Sequence, residues 1–142
     1  MAAVTTAVFD SNVVVAGAGW RTESHLCLVA LARRRVRVFT SEWILEESRR
    51  ALQRLQEAGR LAKHDPWPVM NWFADAARLV TPAATGKPRS RDAKDDPILG
   101  TALAGHARYL VSQDDDLLAL EKPFGIEIVK PRQFLACLHR PI

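Results

Sequence analysis

Short apolar runs alternate along the chain with longer stretches in which apolar residues return every three or four positions, a pattern that predicts strands and helices in turn. Val4 to Phe9 reads as a first strand, and Thr22 to Arg34 as a helix with Leu26, Val29 and Ala30 on one side. Val36 to Phe39 predicts a second short strand that ends at Thr40 and Ser41. Ser41 is placed to cap a helix running to about Ala58, with Glu42 in its first turn and Gly59 as its stop. Asp65-Pro66 marks another helix start, an N-cap followed by proline, and that helix carries Trp67, Met70, Trp72, Phe73 and Ala76 through to Leu79. Residues 82–94 form a polar, basic loop with proline and glycine. Asp96-Pro97 then opens a helix that runs to about His106, with Asp96 as its cap. Arg108 to Ser112 predicts a strand, Leu117 to Leu120 a short helical turn, Ile126 to Val129 a strand, and Pro131 the start of a terminal helix. Strands separated by helices of this length imply parallel neighbours, hence an α/β fold with a parallel sheet.

Composition narrows this little. A chain of 142 residues has the size of one domain, so residues 1–142 are expected to form a single domain. Hydrophobic residues at 48% argue against disorder. The N-terminus lacks the basic start of a signal peptide, and the longest apolar run, Val13 to Gly19, is too short to cross a bilayer. The expectation is a soluble cytoplasmic protein. Cys27 and Cys137 match no zinc spacing and are expected as reduced thiols. The net charge of +4 suits an anionic partner such as nucleic acid, although many small basic proteins bind none.

Among sixteen acids, four positions stand apart. Asp10 follows the apolar Ala7-Val8-Phe9 at the C-terminal end of the first strand, where open α/β sheets place ligands. Its plainer reading is a cap for the next turn. Glu47 falls at the edge of the stripe formed by Ile44, Ser48, Ala51, Leu52 and Leu55, whereas Glu46 faces away. Its plainer reading is a rim charge paired with Arg50 or Arg54. Capping by Asp96 leaves Asp95 without that duty and in line with Leu99, Ala102 and His106. Asp114 is nearest the strand end in the run Asp114-Asp115-Asp116, and a capped turn would also explain it. Taken together, oxygen ligands gathered without Cys or His favour Mg²⁺ or Mn²⁺ over zinc.

These residues also carry a resemblance. Val8-Phe9-Asp10-Ser11-Asn12 resembles the first-strand motif of the PIN-domain family, an apolar pair followed by Asp-(Thr/Ser)-Asn. Glu46-Glu47 followed by Ala51-Leu52 resembles the second acidic motif and selects Glu47; Asp95-Asp96-Pro97 through Thr101-Ala102 resembles the third and selects Asp95. Ser112-Gln113-Asp114-Asp115-Asp116-Leu117 is similar to the fourth, with Ser112 where Thr is commoner. The type resembled is the stand-alone prokaryotic one of VapC-like toxins. It implies a Rossmann-like three-layer α/β/α sandwich with a central, mainly parallel sheet, metal-dependent RNA cleavage, frequent homodimers and inhibition by a cognate antitoxin.

On this reading Asp10, Glu47, Asp95 and Asp114 are the catalytic residues and metal ligands, Asp116 is a further ligand, and Asn12, Ser41 and Ser112 fix the carboxylates. Lys87, Arg89, Arg91 and Lys94 lead into Asp95 and are the first choice for RNA phosphates. The cluster Arg33, Arg34, Arg35 and Arg37 fits a helix C-terminus better. Trp67 and Trp72 are expected in packing, Trp20 and Trp43 nearer the cleft, and His106 as a packed structural residue. Other readings fare worse. A haloacid-dehalogenase-type phosphatase needs a second Asp where Asn12 stands, a receiver domain needs more acids beside Asp10, and no P-loop precedes Lys87. A flap-type DNA nuclease needs added elements. A non-catalytic PIN-like module binding RNA or protein is the remaining alternative, separable by metal titration.

Overall fold

The computed structural model describes residues 4–61, 63–86 and 95–138, with the side chain of Asp95 excepted. A sheet of five parallel strands forms the middle layer, made of β1 (Thr5–Phe9), β2 (Val36–Thr40), β3 (Arg78–Leu79), β4 (Tyr109–Val111) and β5 (Glu127–Val129). Their order is β3-β2-β1-β4-β5, with β1 in the centre. Helices α1 (Ser11–Gly19), α2 (Glu23–Ala32), α3 (Glu42–Glu57), α4 (Trp67–Ala76), α5 (Asp95–Ala104), α6 (Asp115–Leu118) and α7 (Pro131–Leu138) complete the expected three-layer α/β/α sandwich.

The period of two along each strand divides the core between the two faces. Ala7, Phe9, Val36, Val38, Tyr109 and Val111 meet side chains of α1, α2, α4 and α7 on one side. Val8, Phe39 and Leu110 meet Ile98, Leu99 and Ala102 of α5 and Leu117 of α6 on the other. Both faces of the central strand are covered, so its buried end, Ala7-Val8-Phe9, is apolar on both sides. Phe9 sits at the middle of its face, stacked on Phe73 at 6.3 Å and edge-on to Phe134 at 5.8 Å between ring centroids.

Helix α3 follows from local sequence alone. Ser41 Oγ accepts from the Ile44 N–H at 3.4 Å, the apolar stripe faces inward, and Gly59 takes a φ of +66° just beyond the end. The structure departs from the local sequence reading at four places. Val13 to Gly19 belongs to a helix, α1, which packs among α2, α3 and α4 with almost every side buried. It has no polar face, and periodicity cannot reveal a helix that is apolar all round. A Cβ on Gly17 would lie 2.8 Å from Leu28 Cδ1 and 2.9 Å from the Ser24 carbonyl, so glycine lets α1 and α2 approach.

Helix α4 starts at Trp67, with Pro66 at the cap and Asp65 Oδ1 accepting from the Trp67 N–H at 3.0 Å. It stops at Ala76, and Leu79 instead pairs with Thr40 in the two-residue edge strand β3. Helix α5 already includes Asp95, so Asp96 lies inside the first turn rather than capping it; Pro97 is tolerated there because first-turn N–H groups have no intrahelical acceptor. Finally, α5 ends at Ala104, and His106 is exposed with a φ of 51° instead of packed on the inner face. Both cysteines are free thiols, as expected. Among the described residues no helix is long and apolar enough to cross a membrane.

Candidate active site

The connections run outward from β1 in one direction through β2 and β3, and in the other through β4 and β5. The switch falls between the C-terminal ends of β1 and β4, where adjacent connections leave on opposite faces and open a crevice. Phe9 is in register with Val111, and the Asp10 N–H donates to the Val111 carbonyl at 2.9 Å. Asp10 and Ser112 therefore emerge side by side although distant in sequence.

Asp10 is 3% exposed. Its Oδ1 accepts from the Ser11 N–H at 2.7 Å, which caps α1, and its Oδ2 accepts from Ser112 Oγ at 2.7 Å and Asn12 Nδ2 at 3.2 Å. Capping and a place in the crevice are thus compatible, since each oxygen has two lone pairs. Burial is the largest cause that raises the Asp10 pKa to about 6. The charges of Glu47 and Asp114 add to it, against the hydrogen bonds from Ser112 and the Ser11 backbone.

Glu47 reaches the same place from α3. It is half-buried, and its Oε1 accepts from Ser11 Oγ at 3.0 Å. Glu46, one residue earlier, faces solvent and pairs with Arg50 at 2.9 Å, so the ion pair open to Glu47 on local spacing goes to its neighbour. Asp114 follows β4 and caps α6, its Oδ1 accepting from the Asp116 N–H at 2.9 Å. Its own N–H donates to Ser112 Oγ at 3.0 Å. Ser112 thereby joins Asp10 to Asp114, as Ser11 joins Asp10 to Glu47.

Asn12 and Ser112 contact Asp10 as expected, while Ser41 has a different duty. Its hydroxyl caps α3 and accepts from Thr101 Oγ1 at 2.9 Å, tying α5 to the end of β2. The Asp95 backbone opens α5, but its side chain, and all of Lys87, Arg89, Arg91 and Lys94, lie outside the described residues. Among the described residues no three acids, histidines or cysteines form a ready metal cage. Sequence reasoning missed Ser11, whose hydroxyl bridges two carboxylates; its place inside the Asp-Ser-Asn motif was the available signal. It also missed Gln113, whose N–H donates to Asn12 Oδ1 at 3.2 Å and whose Nε2 donates to Ser24 Oγ at 2.9 Å.

Comparison with known proteins agrees with this architecture. Among solved structures, the crystal structure of PAE2754 from Pyrobaculum aerophilum is similar, with a TM-score of 0.67 at 18% sequence identity over 94% of this chain and 89% of that one. At that identity the likeness speaks to the fold. No curated protein matches. A family model described as PIN domain matches residues 6–116, a span that runs from β1 to Asp116 and holds every acid discussed above. The chain belongs to the PIN-domain family.

Proposed function

We propose that this protein is an endoribonuclease that hydrolyses RNA phosphodiester bonds with Mg²⁺ or Mn²⁺ held by Asp10, Glu47, Asp95 and Asp114, with Asp116 beside them. The observation that carries the reading is the Asp10 carboxylate, buried at the switch point between two further acids. Its ionised form is opposed by burial and by like charge, and no basic side chain among the described residues pairs with it. A doubly charged ion would reverse that balance, and an all-oxygen donor set fits a hard cation. PIN domains are in general nucleases, and PIN nucleases generally use divalent metals.

Such an ion would supply charge at the phosphate oxygens and lower the pKa of an attacking water. The chain's own residues would set the geometry. Ser112, Asn12 and the Ser11 N–H hold both Asp10 oxygens in place. Ser11 takes one oxygen of Glu47 and would leave the other to bind an ion or orient the water. The Asp116 N–H and Ser112 fix Asp114 from two sides. Preorganised carboxylates of this kind need no rearrangement as charge develops. The motifs resemble those of the VapC-like toxins, and on that reading its partners would be RNA and a cognate antitoxin, in a homodimer.

Incubation of defined RNAs with and without Mn²⁺ tests the activity. Wild type should cleave only with the ion, and Asp114→Asn should lose at least about a hundredfold in rate, the scale of removing a preorganised electrostatic group. A wild type that neither cleaves RNA nor binds Mn²⁺ would instead be a non-catalytic PIN-like module.

A further inference from the structure

Two cavities open beside the carboxylates at the C-terminal edge of the sheet, and Ala16 and Trp20 line both. The smaller, about 270 Å³, also takes in Ser11, Asn12, Val15, Glu47, Ala51 and Arg54. The larger, about 510 Å³, includes Gln113, Lys130 and Arg132, with Glu23 as its acid. Gln113 connects the larger cavity to Asn12, and Asn12 donates to Asp10, so both cavities adjoin the carboxylate site. Trp20 stands between them because α1 ends at Gly19. The chain turns extended at Trp20, with φ −137° and ψ 159°, and its N–H returns to the Ala16 carbonyl. Trp43, Trp67 and Trp72 are half-buried against the two cores, whereas Trp20 is 36% exposed. Arg54, Lys130 and Arg132 are exposed and form no ion pair among the described residues.

We propose that these cavities are the track for a single-stranded RNA on one side of the scissile phosphate. A base stacks on Trp20 in the smaller cavity, over Val15, Ala16 and Ala51, and the neighbouring phosphate is held by Lys130 and Arg132 in the larger. An aromatic ring beside apolar walls receives the face of any unpaired base, and free cations beyond it receive backbone charge. A base within a duplex keeps its face against its neighbours and cannot enter. The assignment deepens the nuclease reading and rests on it for the position of the scissile phosphate.

Binding is measured in the Asp10→Asn background, so that RNA survives, using a labelled short single strand and the same length closed as a hairpin duplex. The single strand should bind more tightly than the hairpin. Trp20→Ala should weaken it roughly tenfold, and Trp20→Phe should retain most of the affinity. Lys130→Ala with Arg132→Ala should lower the salt slope by about 1.4, the value for two single-strand phosphate contacts. Trp20→Ala binding like its parent, a hairpin bound as tightly as the strand, or an unchanged slope overturns the track. Wild type is assayed separately for Mn²⁺-dependent hydrolysis of bis(p-nitrophenyl) phosphate, which has no base. Inertness there with Trp20-dependent RNA binding removes the nuclease reading and leaves the track; hydrolysis with Trp20-independent binding removes the track alone.

Discussion

Replacing Asp10 by Asn should make the metal-free protein more stable, although it removes a carboxylate central to the site. The Asp10 pKa is raised from the ordinary 3.8 to about 6. The folded state therefore binds this proton more tightly than the unfolded chain does. The resulting stability is fully present below pH 3.8, is lost as pH rises through 6, and is absent at pH 8. The rise from 3.8 to about 6, at ~1.36 kcal/mol for each tenfold in proton affinity, means that ionised Asp10 costs about 3 kcal/mol relative to its neutral form. Asn is neutral at every pH. It keeps an acceptor for the Ser11 N–H but sets an amide nitrogen against both the Ser112 hydroxyl and the Asn12 Nδ2 donor, a loss of about 1–2 kcal/mol. The net gain at pH 8 in EDTA is about 1–2 kcal/mol, or roughly 3–7 °C in Tm for a domain of this size. At pH 4 the gain should vanish. Mn²⁺ at about a hundred times its Kd should raise wild type by about 2.7 kcal/mol and the variant by much less, which reverses the order. Thermal unfolding followed by circular dichroism at pH 4 and pH 8, with EDTA and with Mn²⁺, measures all four combinations. A variant less stable than wild type at pH 8 in EDTA, or a gap that ignores pH, would refute the account of Asp10.

Glu47→Gln preserves an acceptor for Ser11 and so should keep its Tm within about 1 °C while RNA cleavage falls at least about a hundredfold; retained turnover would remove Glu47 from the chemistry. Ser112→Ala takes a donor from Asp10 and an acceptor from the Asp114 N–H; Mn²⁺ affinity by calorimetry should weaken about 10–100-fold, and an unchanged affinity would show that the hydroxyl positions nothing. Gly100→Ala puts a Cβ against the Ala83 carbonyl, a backbone atom that cannot step aside alone, and chemical denaturation should show a loss of about 1–3 kcal/mol.

What could be read along the chain was whatever local pattern decides. The stripe of α3, the Ser41 cap and the Gly59 stop lie within one stretch of sequence, and the same stripe separated Glu47 from Glu46 before any neighbour was known. Asp10 and Asp114 were marked by the apolar strands before them, and the four motifs in order gave the family. Helix α1 and strand β3 were not legible, for opposite reasons. The first is buried on nearly all sides and shows no period, while the second is two residues long and exists only because β2 offers it a ladder. Ser11 and Ser112 looked like ordinary polar residues in turns. Their hydroxyls acquired a role when parallel pairing of β1 with β4 set Phe9 against Val111 and α3 brought Glu47 alongside. Periodicity assigns each residue a side of its own element. Only the packing of elements decides which sides face each other, and both the raised pKa of Asp10 and the exposed place of Trp20 between two cavities are properties of that packing.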